Sequence, residues 1–201
     1  MNIRSTLRQY GVALRAMVVA TVVLGLAYTA VITGIGQLVV PGRANGSLVT
    51  VDGQTVGSTL IGQSFTDADG AALPEWFRSR PSAAGDGYDA SASSGSNLGP
   101  ENDDLVAAIE QRRADVATLD GVDPASVPVD ALTASGSGLD PHVSPEYALE
   151  QVARVAEARS LPEATVRTLV EQHVQGRDLG YLGEPTVNVL ELNVALAGLG
   201  R

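Results

Sequence analysis

The sequence predicts an α+β domain carried behind a single N-terminal transmembrane helix. Three observations lead there. Residues 16–40 form a run of 25 residues without a charge. Two β-prone runs follow closely, on either side of Asp52-Gly53. Helical periodicity then fills the second half of the chain. Strands early and helices later read as α+β rather than as a parallel alternating fold.

The apolar run comes first. A helix of that length rises about 37 Å, against a hydrocarbon core of roughly 30 Å. It is therefore long enough to span a bilayer with some tilt. Arg4, Arg8 and Arg15 precede it, only Arg43 follows closely, and no acid occurs before Asp52. The positive-inside bias predicts a cytoplasmic N-terminus (residues 1–15), a membrane helix (16–40) and an extracytoplasmic domain (41–201). A cleaved secretory signal is the rival reading. Its apolar core is usually about 7–15 residues, and no A-x-A-like site precedes Val40.

Pro41-Gly42-Arg43-Ala44-Asn45-Gly46 predicts a stop and a turn. Asn45-Gly46-Ser47 is also a glycosylation sequon. Residues 47–51 and 55–61 predict a hairpin around Asp52-Gly53. Residues 67–100 are rich in Gly, Ser, Ala and Asp, yet Trp76, Phe77 and Tyr88 predict a long loop anchored to a core. Asn102 is placed to cap a helix with Leu105, Ile109, Val116 and Leu119 on its inner stripe. Ser144-Pro145-Glu146 predicts a helix start leading into Tyr147, Val152 and Val155. Ser160-Leu161-Pro162-Glu163 matches a capping box, with Val166, Leu169, Val170 and His173 on one face and Gly176 as the stop. Residues 187–196 read as strand-then-helix or as helix throughout.

Composition excludes several chemistries. The chain has no cysteine and no lysine, so thiolate metal sites, disulfides, Walker A loops, Schiff bases and Ser-x-x-Lys hydrolases are all ruled out. Four of the thirteen arginines precede Ala44. The remaining nine face 23 acids, a formal charge of −14 for residues 44–201. That sign is opposite to a nucleic-acid binder's.

Ser135, Ser137, Asp140 and His142 contain the ingredients of a catalytic triad, but they crowd into eight residues with no strand–turn–helix elbow. The simpler reading is an architectural or docking loop, Ser135, Gly136, Ser137, Gly138, Asp140 and His142, that leads into the helix at Pro145. A metal held by Asp140 and His142 would need further ligands, and the chain has only two histidines. Ser93-Ser94-Gly95-Ser96-Asn97 has the composition of an anion-binding nest, but equally of a plain turn. Arg78 and Arg80 are candidates for an anionic partner or for internal ion pairs. In the membrane helix, Gly25, Thr29, Thr33 and Gly36 follow helical spacing and offer a small-residue packing face.

Several rare strings occur in order: Gly62-Gln63-Ser64-Phe65, Arg80-Pro81-Ser82-Ala83, Gly95-Ser96-Asn97-Leu98-Gly99-Pro100, Val127-Pro128-Val129-Asp130 and residues 133–145. Leu182-Gly183-Glu184-Pro185 and Asn188-Val189-Leu190-Glu191-Leu192-Asn193 follow. Together, along nearly the whole chain, they resemble the C subunit of the Kdp potassium-transporting ATPase, the KdpC family. The resemblance implies a non-catalytic subunit of a high-affinity potassium importer in the bacterial inner membrane. Its implied partners are a channel-like potassium-translocating subunit, a P-type ATPase subunit and a small membrane subunit. ATP and Mg would be used on another subunit, K+ would be the transported ion, and no cofactor is expected on this chain. A nucleotide-assisting role is also implied through Ser94, Gly95, Ser96 and Asn97, although Ser94 stands where the family usually has glycine. One membrane helix cannot form a pore by itself, and the lysine-containing phosphorylation motif of P-type ATPases is absent. The alternatives are a membrane-anchored serine hydrolase using Ser135 or Ser137 with His142, and a stand-alone binding protein.

Overall fold

The computed structural model describes residues 3–199, with the backbone alone for residues 3–5. Met1, Asn2, Gly200, Arg201 and the Arg4 side chain, all part of the topology expected above, lie outside the described residues. The chain divides into two compact units, residues 1–48 and 49–201.

In the first unit, α1 (Ile3–Ala20), a π-helical stretch (Thr21–Tyr28) and α2 (Thr29–Val39) run on as one helix. Its apolar span is Thr6–Val39, with no side chain of the most apolar window buried. By length and composition it is apolar enough to cross a membrane. Val40 leaves helical geometry at φ −137° and ψ 56°, as a residue before proline tends to do. Pro41 then opens a one-turn helix, α3 (Pro41–Ala44). Asn45 and Gln37 exchange side-chain amide hydrogen bonds of 3.2 and 3.0 Å across the corner.

A hairpin comes next in the chain, β1 (Leu48–Val51) and β2 (Gln54–Ser58), all but its first residue in the second unit. Asp52 (φ 50°) and Gly53 (φ 81°) both take left-handed conformations at its turn. That geometry matches the strand twist and accounts for the Asp-Gly pair. Irregular chain follows to Asn102, apart from a single 3-10 turn at Ala90–Ala92. Asn102 caps α4 (Asp103–Asp120) by accepting from the amides of Asp104 and Leu105. β3 (His142–Val143) and β4 (Val174–Gln175) flank β5 (Thr186–Asn188), all antiparallel. Helices α5 (Pro145–Glu150), α6 (Val152–Ala158), α7 (Glu163–Gln172) and α8 (Val189–Leu199) complete the unit.

The core joins Phe77 from the irregular region to Val116, Tyr147, Val152, Val155, Val166, Val170, Val187, Leu192 and Leu196. Each fully buried aliphatic side chain here contributes about 1.5–3 kcal/mol. The predicted inner faces of α5, α6 and α7 pack; on α4, Val116 and Ile109 do, joined by Ala117, while the expected Leu105 and Leu119 are half-buried and outside the core. Ser144 caps α5 by accepting from the Tyr147 amide.

Two boundary expectations are corrected. Ser160 does not cap α7. It sits at φ 54° just past α6, its amide donating to Glu157, and so closes the preceding helix in the left-handed C-terminal position. Pro162 occupies the cap of α7 without a side-chain hydrogen bond. Nor does α7 run to Gly176. It ends at Gln172, and pairing of Val174 with Val187 claims the chain for the sheet. Residues 187–196 resolve as strand-then-helix.

Candidate functional site

The motifs that stand out in the sequence converge in space. Residues 135–138 form a tight turn of their own. The Ser135 hydroxyl accepts from the Gly138 amide (2.9 Å), and the Ser137 hydroxyl accepts from the Leu139 amide (3.1 Å). The Ser137 carbonyl accepts from the Ser94 amide (2.9 Å) and the Ser93 hydroxyl (3.0 Å), which ties the loop to residues 93–97. Gly138 lies at φ 68°, where a Cβ would come within 2.7 Å of both Ala84 N and Ser94 O. Glycine is required there twice over, for conformation and for space.

Ser82 is the joint on the other side. Its hydroxyl donates to the Gly138 carbonyl (2.6 Å) and accepts from the Tyr88 amide (2.8 Å). Tyr88 is held at φ 56°, uncommon for an aromatic residue. Its phenol donates to the Arg80 carbonyl (2.8 Å), and burial pushes its pKa up to about 12. Gly62 gives its amide to Leu139 O, and a Cβ there would strike the Tyr88 ring at 2.4 Å.

Asp140 is the electrostatic centre. It accepts from Arg80 Nη1 (3.1 Å), the His142 amide (3.0 Å) and His142 Nδ1 (3.3 Å). Burial works to raise its pKa, but the His142 hydrogen bonds and the Arg80 charge outweigh it and hold the carboxyl below its ordinary value. Arg80 also straps the Thr133 carbonyl through Nε and Nη2. A surface groove gathers Arg80, Asp130, Thr133, Asp140, His142 and Glu184. Asp130 accepts from both the amide (2.6 Å) and the hydroxyl (2.9 Å) of Ser144. Glu184 pairs with Arg177.

Neither Ser135 nor Ser137 is hydrogen-bonded to His142. Their hydroxyls serve backbone amides, and the imidazole serves Asp140. His173 bonds the Leu169 carbonyl through Nδ1 (2.8 Å) and lies half-buried. Among the described residues, no group of three or more His, Asp or Glu side chains is arranged to hold a metal. In the loop Ser94, Gly95, Ser96 and Asn97, the Ser94 amide is committed to Ser137, and Gly95 O accepts from Ser94 Oγ and Asn97 Nδ2. In the first unit, Gly25 falls in the π-helical stretch, while Thr29, Thr33 and Gly36 lie in α2. Gly25, Thr29 and Thr33 are exposed, and Gly36 is half-buried.

The roles of Ser82 and Tyr88 were not readable as such. Both sit in a stretch with loop composition, and only the fold brings residue 138 against residue 82.

The family described as "K+-transporting ATPase, c chain" matches residues 10–198. The chain is 60% identical over 190 residues to the potassium-transporting ATPase KdpC subunit of Kineococcus radiotolerans, covering 94% of this chain and 93% of that protein. It is 55% identical over 178 residues to the KdpC subunit of Gemmatimonas aurantiaca, with 88% and 86% covered. The KdpC subunit of Nitratidesulfovibrio vulgaris is 57% identical over 175 residues, with 86% and 85% covered. With matches running through the anchor, the loop pair and the terminal helix alike, the chain belongs to the KdpC family of potassium-transporting ATPase subunits.

Proposed function

We propose that this protein is a non-catalytic accessory subunit of an ATP-driven potassium importer, stabilising assembly of a channel-like subunit and a P-type ATPase subunit. A small membrane subunit completes the expected complex. The observation that carries the reading is the family match along residues 10–198. The site chemistry supports it. The serines and glycines of residues 133–142 are spent on holding backbone, which suits a shaped surface better than a reaction centre. ATP and Mg act on another subunit in this reading, and K+ is cargo.

The arginines before the span favour a cytoplasmic N-terminus and an extracytoplasmic domain. Gly25, Thr29, Thr33 and Gly36 offer a face for a neighbouring membrane helix. On that topology the loop 94–97 faces away from cytoplasmic ATP, so a nucleotide role for it is not part of the proposal.

Purification in mild detergent from the native host tests the assembly role. The expected result is co-purification of the other subunits, weakened by Gly25→Leu with Thr29→Leu while membrane insertion persists. Recovery of this chain alone points to a stand-alone binding protein. Covalent labelling by a serine-directed probe points to a hydrolase. Protease added to intact spheroplasts should cut residues 44–201; protection until the membrane is broken reverses the orientation.

A further inference from the structure

A cavity of about 190 Å³ lies beside the Ser82 joint, and three arginines line it: Arg78, Arg80 and Arg112. Such clustering is unexpected in a stretch of chain with a formal charge of −14. Two of the three are committed. Arg80 serves Asp140 and the Thr133 carbonyl, and Arg112 donates to the Leu132 carbonyl (2.9 Å). Arg78 is different. Its backbone is bound on both sides by Gln151, but its guanidinium makes no hydrogen bond or ion pair among the described residues. It is half-buried, whereas Arg113, also without a partner, is exposed on α4.

The next residue reinforces the point. Ser79 is 8% exposed, and its hydroxyl oxygen is buried without a hydrogen-bond partner of acceptable geometry. The neighbouring Tyr88 phenol donates to Arg80 O; its contact with the Ser79 hydroxyl lowers the Tyr88 pKa against the larger effect of burial but lacks hydrogen-bond geometry. Ser64, also on the cavity wall, accepts from Thr66 Oγ1 and keeps its own proton to donate. Donors therefore face one half-open space: the half-buried Arg78 guanidinium, which can only donate, the buried Ser79 hydroxyl and the exposed Ser64 hydroxyl. Leaving a partly buried cation and a buried hydroxyl without acceptors costs free energy. A ligand rich in acceptors relieves both.

One further group narrows the choice. The Asp115 carboxylate lines the same cavity and accepts from Gln111 Nε2 through a single oxygen. A fully deprotonated anion is repelled there. A phosphate that retains a proton can donate it to Asp115 while its other oxygens accept from Arg78, Ser79 and Ser64. Sulfate and a phosphodiester headgroup carry no proton at neutral pH. We propose that the Arg78 cavity is a binding site for hydrogen phosphate or a phosphomonoester group, selected over sulfate by Asp115.

The test is calorimetric titration of the full chain in neutral detergent with sodium orthophosphate, at constant ionic strength. The expected result is saturable one-to-one binding, with sulfate and phosphatidylglycerol failing to compete. Arg78→Gln should weaken it at least tenfold, and Arg113→Gln, the same charge change on an exposed face, should leave it unchanged. Asp115→Asn should erase the preference over sulfate. If Arg78→Gln folds poorly by its melting curve, Arg78→Lys keeps the charge but loses the planar fork and should still bind several-fold more weakly. Absence of saturable binding, equal loss in Arg113→Gln, or equal affinity for sulfate overturns the proposal. So does a cavity that takes no phosphate but whose Arg78→Gln variant loses its co-purifying subunits, because the occupant is then a partner's carboxylate.

Discussion

Residues 74–80 and residues 135–142 are both irregular, and they satisfy their backbone groups in opposite ways. The first segment is threaded through the core and takes its hydrogen bonds from helix side chains. Asn193 exchanges two bonds of 2.9 Å with the amide and carbonyl of Phe77. Gln151 does the same for Arg78, at 2.7 and 3.3 Å. Arg154 donates to the carbonyls of Pro74 and Trp76, and Arg159 to that of Glu75 while stacking over the Trp76 ring at 4.2 Å. The second segment binds itself, through Ser135, Ser137 and Asp140, and leans on residues 82–95. Both obey the demand that buried backbone groups be paired. The difference is who supplies the partner. A segment held by distant side chains fails with the core; a segment held by its own hydroxyls can be altered locally.

The sharpest way to break that contrast is Arg154→Ala. Arg154 Nε meets Asp120 Oδ1 at 2.5 Å, with side chains only 6% and 0% exposed. Its loss leaves a buried carboxylate uncompensated and frees two carbonyls of residues 74–76. Destabilisation of about 3–5 kcal/mol is expected in chemical denaturation. A loss below about 1 kcal/mol means that the segment does not depend on this side chain.

Gly138→Val comes next. It forces a β-branched residue to positive φ and drives its Cβ into Ala84 and Ser94 backbone. The expected cost is about 2–4 kcal/mol, read as a lower melting temperature together with poor recovery of the assembled complex. A variant that melts like the wild type removes the loop's claim to a fixed shape.

Ser135→Ala should be mild, about 0.5–1.5 kcal/mol, because only one acceptor for the Gly138 amide is lost. Potassium-limited growth should persist. Abolished transport in a complex that still assembles assigns this loop a part in chemistry or ion handling.

The smallest effect is confined by pH. One carboxylate oxygen of Glu150 is buried without a partner. Burial, helped by the charges of Asp120 and Asp130, raises its pKa from 4.5 to about 7. A carboxyl raised on folding favours the folded state most while protonated, so stability falls as pH climbs from about 4.5 to about 7. Glu150→Gln should melt above the wild type at pH 8 and together with it near pH 4.5. Parallel melting curves at both pH values mean that the carboxylate is already well solvated.

Much of the fold was legible because local chemistry dictated it. The uncharged run of residues 16–40 could only be a long apolar helix, Asp52-Gly53 fixed the hairpin turn, and Asn102 and Ser144 started their helices where side-chain caps belong. Ser160 misled because the same residue type closes a helix when the preceding turn needs a left-handed residue. Gly176 misled because strand pairing, a long-range event, ended α7 earlier. At the site, residues 135–142 were readable as an architectural loop leading into the helix at Pro145. The grip of Ser82 on Gly138 was not, since the two are 56 residues apart in sequence.

By itself, then, the sequence determined the long apolar N-terminal helix, the helix starts at Asn102 and Ser144, the absent residue types and, through strings of rare residues, the family. Those features are local or compositional, and short-range sterics and solvation suffice to set them. The tertiary structure alone decided that the irregular stretch 74–80 would be threaded through the core by Gln151, Arg154 and Asn193. It alone decided that the Arg78 guanidinium would face a cavity without a hydrogen bond or ion pair among the described residues. Both follow from long-range packing, which chooses among partners that local chemistry leaves equivalent.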